Sequence, residues 1–173
     1  MDEKKMRKTV RDLFKKGEVD CVIGYEKTGF GQKVRPCIIS SPEEADRLVL
    51  SPMCKNNLTV YLTLEPLEKK GKIGILAKGC DTRALIQLIQ ERGVERDDLV
   101  ILGVPCPGMI DPEKLYDKIA EDAVLDITEK GEVYVIKTKD GERKMKKGDV
   151  LFAECTSCPI PTPLGADVML GEP

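Results

Sequence analysis

The chain has 173 residues, the length of one domain with a sizeable core, and a net charge of −2 with 34% charged residues. That balance excludes a broad electrostatic attraction to nucleic acid or an anionic membrane, and 4% aromatics leave no base-stacking platform. Histidine is absent, which removes His-based triads, His general bases and His metal ligands together.

The start MDEKKMRKTVRDLFKKGE is too charged for a signal peptide, and no apolar run is long enough to span a bilayer. The expectation is a soluble, cytoplasmic protein without membrane insertion. Residues 1–17 form an amphipathic helix with Val10, Leu13 and Phe14 as its apolar face and Gly17 as its stop. EVDCVIGYE follows as a strand that places Cys21 in the core as a small hydrophobe. TGFGQKVRP reads as a loop whose glycines lack phosphate-loop spacing, and CIISS as a short strand that buries Cys37. Ser41 and Pro42 open a helix in SPEEADRLVL. Cys54 stands in a loop with Pro52, Asn56 and Asn57, and residues 58–71 read as a helix with Pro66 near the end, in preference to a strand.

Residues 72–106 carry the strongest pattern. KIGILA is a strand. DTRALIQLIQERGV is a helix with Ala84, Leu85, Leu88 and Ile89 at helical spacing, Asp81 or Thr82 as cap and Gly93 as stop. DDLVILGV is a second strand, so the stretch is a βαβ unit with neighbouring parallel strands. Cys80 and Cys106 each follow a strand, which puts both thiols at the carboxyl edge where open α/β sheets bind ligands.

Beyond Cys106, Asp111 and Pro112 start a helix that turns Leu115 and Ile119 inward. Residues 123–152 alternate strand-like pieces with Lys130-Gly131, Asp140-Gly141 and Lys147-Gly148 turns, the mark of a small antiparallel insert. AECTSCPIPTPLGADVMLGEP closes the chain as a proline-held loop and a final short run. The fold class expected is α/β, a single domain over 1–173, with a mainly parallel sheet, flanking helices and that insert.

Seven cysteines without a secretion signal point to metal or redox work, not to a disulfide framework. A thioredoxin-like role for Cys155-Thr-Ser-Cys158 is disfavoured, because that motif should begin a helix and Pro159, Pro161 and Pro163 hold this loop extended. Half of a zinc site and half of an iron–sulfur site both stay open. Cys80, Cys106, Cys155 and Cys158 together make a four-cysteine set suited to a 4Fe–4S cluster or to zinc; Cys54 has no place in that set, and a subgroup feature, a fifth thiol and a substitute ligand stay open for it. The plain alternative leaves Cys80 and Cys106 merely buried and the C-x-x-C pair inert.

Lys78-Gly79-Cys80-Asp81-Thr82-Arg83, the strand ending in Cys106, Cys155-x-x-Cys158 and the closing Ala166-Asp167-Val168-Met169-Leu170-Gly171 appear in order over about residues 50 to 171. The set resembles the beta-subunit family of the F420 (deazaflavin) hydrogenases and dehydrogenases. The resemblance implies an iron–sulfur flavoprotein, an electron-transfer subunit with a 4Fe–4S cluster and FAD or FMN. Its partners would be other oxidoreductase subunits or a ferredoxin-type protein. This chain departs from larger members: it has no C-x-x-C-x-x-C-x-x-x-C-P run and no long amino-terminal region. A flavin phosphate would sit by Lys78, Gly79, Asp81 and Arg83, where helix N–H groups and a guanidinium favour an anion. The competing reading is a small zinc-stabilised interaction module, held by the same four cysteines and without redox activity.

Overall fold

The computed structural model describes residues 2–29, 32–64 and 71–171, without the side chain of Asp122. Helix α1 (Glu3–Lys16) is capped by Asp2, whose carboxylate accepts from the Lys5 N–H at 3.0 Å. It ends at Gly17, in the left-handed region with φ 67, whose N–H reaches the Leu13 and Phe14 carbonyls. Its buried stripe is Met6, Val10 and Leu13, one turn nearer the N-terminus than expected; Phe14 is half-buried.

The main sheet has five strands in the order β2-β1-β3-β4-β8. These are β1 (Cys21–Lys27), β2 (Val34–Ile39), β3 (Ile73–Ala77), β4 (Leu99–Gly103) and β8 (Val168–Met169). β1, β3, β4 and β8 run parallel, and β2 pairs antiparallel with β1 at one edge. All five residues of β3 are buried, the continuous apolar run of an interior parallel strand. β2 starts at Val34, inside the stretch expected to be a loop. Pro36 is tolerated there because an edge strand need not donate on its outer side. Helix α2 (Gly79–Gln90) makes the crossover from β3 to β4, and among its apolar residues Leu85 is buried deepest.

Several boundaries differ from expectation. Helix α2 begins at Gly79 with Lys78 as the cap, not after Asp81. It closes through Arg92 at φ 56, so Gly93 is not the residue that turns left-handed. Residues 42–47 and 58–61 are single 3-10 stretches instead of α-helices. The Asn57 carboxamide caps the second of these through the Thr59 N–H at 3.0 Å. The remainder of the expected helix around Pro66, residues 65–70, lies outside the described residues.

The insert is a separate antiparallel sheet of β5 (Val124–Lys130), β6 (Val133–Thr138) and β7 (Gly141–Lys146). It has a core of its own, in which Ile127, Tyr134 and Ile136 meet Leu115 and Ile119, contributed by α3 (Pro112–Tyr116) and the turn after it. Helix α4 (Ala153–Thr156) then follows, one turn long. Cys155 therefore lies in a helical turn, not in an extended loop. Among the described residues no helix is long and apolar enough to cross a membrane.

One charged group in the sheet is nearly enclosed. Glu26 on β1, 9% exposed, sits opposite Arg35 on β2 and is gripped from two sides. Arg35 donates to Oε1 at 2.8 Å, and Arg47 reaches Oε2 at 2.9 and 3.0 Å. Burial pushes the carboxyl pKa up, but the hydrogen bonds and charges of Arg47 and Arg35 outweigh it and hold the group below its usual range. A depressed folded-state pKa stabilises the fold above the unfolded value and is lost as pH falls through the folded one. Both guanidinium groups are partly solvated, which limits the effect. Glu26→Gln is expected to cost about 1–2 kcal/mol in urea denaturation at pH 7. The gap to the unchanged protein should narrow as pH falls below the usual carboxylate range and through the lowered native one, where the native carboxylate also takes up its proton.

Candidate functional site: a thiol edge on the parallel sheet

β3 and β4 pair in step from Ile73 with Leu99 to Ala77 with Gly103, so the chain leaves both strands at the same level. The Val104 N–H donates to the Ala77 carbonyl at 2.8 Å and extends that registry one residue further. Cys80 occupies the second position of α2 and is exposed. Its thiol donates to Asp81 Oδ1 at 3.9 Å. Cys106 is half-buried beyond β4, and its N–H donates to the Pro161 carbonyl at 2.8 Å.

That last bond shows where the proline-rich segment goes. Residues 158–164 run between the start of α2 and the loop after β4. A Cβ on Gly79 would stand 1.8 Å from the Ile160 carbonyl oxygen, so only glycine lets this backbone pass. The Leu164 N–H then reaches Thr82 Oγ1 at 3.3 Å. The C-x-x-C pair is thereby carried to the same edge as Cys80 and Cys106. Burial raises the Cys80 thiol pKa first, and the charge of Asp81 and the nearby Cys158 add to it. Cys106 is pushed up to about 11, mainly by burial, with Cys80 and Cys155 contributing; the Gly108 N–H and the Lys78 charge act the other way.

None of the seven cysteines is joined in a disulfide. Among the described residues, no three His, Cys, Asp or Glu side chains are gathered as ligands of one metal ion. Cys21 and Cys37 lie in the main core at 0% and 7% exposure, and burial drives the Cys37 pKa up to about 12. Cys54 is also buried, at 3%. Its sulfur accepts from the Ser51 N–H at 3.4 Å and faces a cavity of about 10 Å³ shared with Tyr25, Lys78 and Cys106.

The residues expected to meet a flavin phosphate divide. Lys78 and Asp81 are 4% and 1% exposed and bind each other, with Nζ 3.0 Å from Oδ2. Asp81 Oδ2 also accepts from the Lys78 N–H at 2.8 Å, the return half of a helix cap. Lys78 Nζ donates to Tyr25 Oη at 2.6 Å and to the Asn56 carbonyl at 2.9 Å; Tyr25 Oη in turn donates to that same carbonyl. Gly79 is covered by Ile160. Arg83 is exposed and has no ion pair among the described residues. Tyr25 and Asn56 were not legible as site residues, because they lie 53 and 22 positions from Lys78 and no local pattern links them.

The same edge opens into a cleft of about 560 Å³. Leu50, Val104, Cys106, Thr162, Leu170 and Gly171 line it.

No family model matches the chain. It is 26% identical over 174 residues to the F420-dependent formate dehydrogenase 1 subunit beta of Methanococcus maripaludis, covering 92% of this chain and 44% of that protein. It is 30% identical over 115 residues to the F420-dependent formate dehydrogenase subunit beta of Methanocaldococcus jannaschii, covering 58% and 30%. The chain is a relative of the F420 dehydrogenase beta subunits. It spans less than half the length of these curated relatives. A chain of the F420-reducing [NiFe] hydrogenase complex from Methanosarcina barkeri shares the fold, with a TM-score of 0.67 at 14% identity over 88% of this chain and 57% of the other.

In this beta-subunit relative the passage of residues 158–164 past Gly79 tests directly. Gly79→Ala forces a methyl group against backbone that cannot rotate away. We expect a loss of about 2–3 kcal/mol in chemical denaturation, the upper range for overpacking. Labelling of the half-buried Cys106 by a thiol reagent should quicken as the segment lifts off it, while Cys21 stays protected. An alanine variant as stable as the parent would show that the close approach is not required.

Proposed function

We propose that the chain is an electron-transfer subunit that holds one 4Fe–4S cluster through Cys80, Cys106, Cys155 and Cys158. The observation that carries this reading is the seating of residues 158–164 between Gly79 and Cys106, which brings a C-x-x-C pair to an edge already bearing two thiols. The donor set fits the group: four free thiols, no histidine, and backbone N–H groups at hand, as at Gly108 beside Cys106. When bound, such a cluster accepts and releases single electrons. The chain's own residues supply thiolates, N–H groups that favour negative charge and an apolar floor of Val104 and Met109. Cys80 and Cys158 remain exposed, so a partner can approach this edge. The partner fitted to that task is another oxidoreductase subunit or a ferredoxin-type protein, in keeping with the curated relatives being named as dehydrogenase subunits.

The flavin that the resemblance implies is better accommodated in the cleft against Cys106 than at Lys78 and Asp81, whose charges are spent on each other. The cleft has an apolar wall of Leu50, Val104 and Leu170 that suits a ring system. Thr162, half-exposed at its mouth, is a position from which a larger side chain would block it.

Protein purified without air should be brown and carry about four iron and four sulfide per chain. Alanine at Cys80, Cys106, Cys155 or Cys158 should lower the iron sharply. Alanine at the buried Cys21, Cys37 or Cys54 should leave it unchanged. Colourless protein with one zinc per chain would instead favour the interaction module, and protein with neither metal would end both readings. In flavin titrations, Thr162→Trp should abolish binding and Arg83→Ala should leave it intact. The reverse result would move the flavin to the start of α2.

A further inference from the structure

Lys78 and Asp81 form an ion pair with side chains only 5% and 2% exposed, directly beneath the thiol edge. A buried pair of this kind is weak support for stability, since desolvation offsets much of its attraction. Its two ends, moreover, do not face the same way. Asp81 turns Oδ1 toward the Cys80 sulfur at 3.9 Å while Oδ2 holds Lys78. Lys78 lines the small cavity that Cys54 and Cys106 also line. Its Nζ is fixed by the Tyr25 hydroxyl, the Asn56 carbonyl and Asp81, and lies 5.1 Å from the centre of the Tyr25 ring. The pair is thus an oriented dipole, with its negative end at Cys80 and its positive end on the Cys106 side.

We infer that Lys78 and Asp81 set the reduction potential of the thiolate-held centre, and that they pull it in opposite directions. The inference rests on the cluster reading above. Adding an electron to a thiolate-ligated centre makes it more negative. A fixed ammonium favours that state and a fixed carboxylate opposes it. In the interior these charges act through a low local dielectric and are little screened by salt. Neither residue is a ligand, so both act through the sulfurs and the space around them.

The test uses the full chain purified anaerobically, with iron counted before anything else. Midpoint potentials are then read by mediated redox titration, followed by EPR and visible absorbance. Lys78→Gln should lower the potential and Asp81→Asn should raise it, each by at least a tenfold change in the reduced-to-oxidised ratio, about 59 mV for one electron. Opposed shifts separate electrostatic tuning from a merely structural role, which would cost iron or move both variants the same way. Unmoved potentials, or shifts of one sign, in iron-loaded variants would overturn the inference. Should Lys78→Gln fail to fold, Asp81→Asn decides alone. Its isosteric amide still accepts the Lys78 N–H, and a potential equal to or below that of the parent overturns the inference. An iron-free parent protein, by contrast, would bring down the cluster reading itself.

Discussion

The approach of the Ile160 carbonyl to Gly79 is the constraint on which the thiol edge depends. A parallel sheet delivers the ends of adjacent strands to one level, and in-step pairing of β3 and β4 does so for the chain around Cys80 and Cys106. That alone yields two thiols. The segment after α4, which opens near Cys158, threads across the strand ends where Gly79 presents no side chain. The Cys106–Pro161 and Leu164–Thr82 hydrogen bonds then fasten the segment just after the crossing. One missing methyl group thus decides whether this backbone can cross the start of α2.

A buried polar network lies at the start of the same helix. Ile160 packs over the start of α2, and the Lys78 side chain lies inward beside Tyr25. An ammonium there must be fully partnered, and Tyr25, Asn56 and Asp81 provide three oxygens. The network ties β1, the loop before the second 3-10 stretch, and α2 together. Charge below and thiols above are therefore positioned by a common set of contacts.

Much of this architecture could be read from the sequence. The apolar runs at 21–27, 73–77 and 99–103, the stripe of α1 and the turn-rich insert each carry a local periodicity that the fold obeys. What could not be read were features set by distant neighbours. Asp81 looked like a cap because it is acidic near a helix start. It is instead the third helical residue, reaching back to the Lys78 N–H. Cys155 looked extended because prolines follow it, but its turn closes ahead of them through a bond from the Cys155 N–H to the Phe152 carbonyl. Cys54 stands among polar residues in the sequence yet is enclosed by Val49, Ser51 and the cavity wall. The strand ends that carry Cys80 and Cys106 were legible from the apolar runs; the backbone crossing at Gly79 was not.

The two hydrophobic cores meet at one of these cysteines. Cys155 packs against both the core of the parallel sheet and that of the insert, whereas Cys106 packs against the first alone. The insert, with its own sheet and its own buried cluster, has the makings of a separate cooperative unit that can loosen without melting the sheet beneath it. Any such loosening pulls directly on Cys155. Anything gripped by the whole thiol edge would therefore stitch the two units into one, and the breathing of a peripheral three-stranded sheet becomes a quantity that the edge itself can feel.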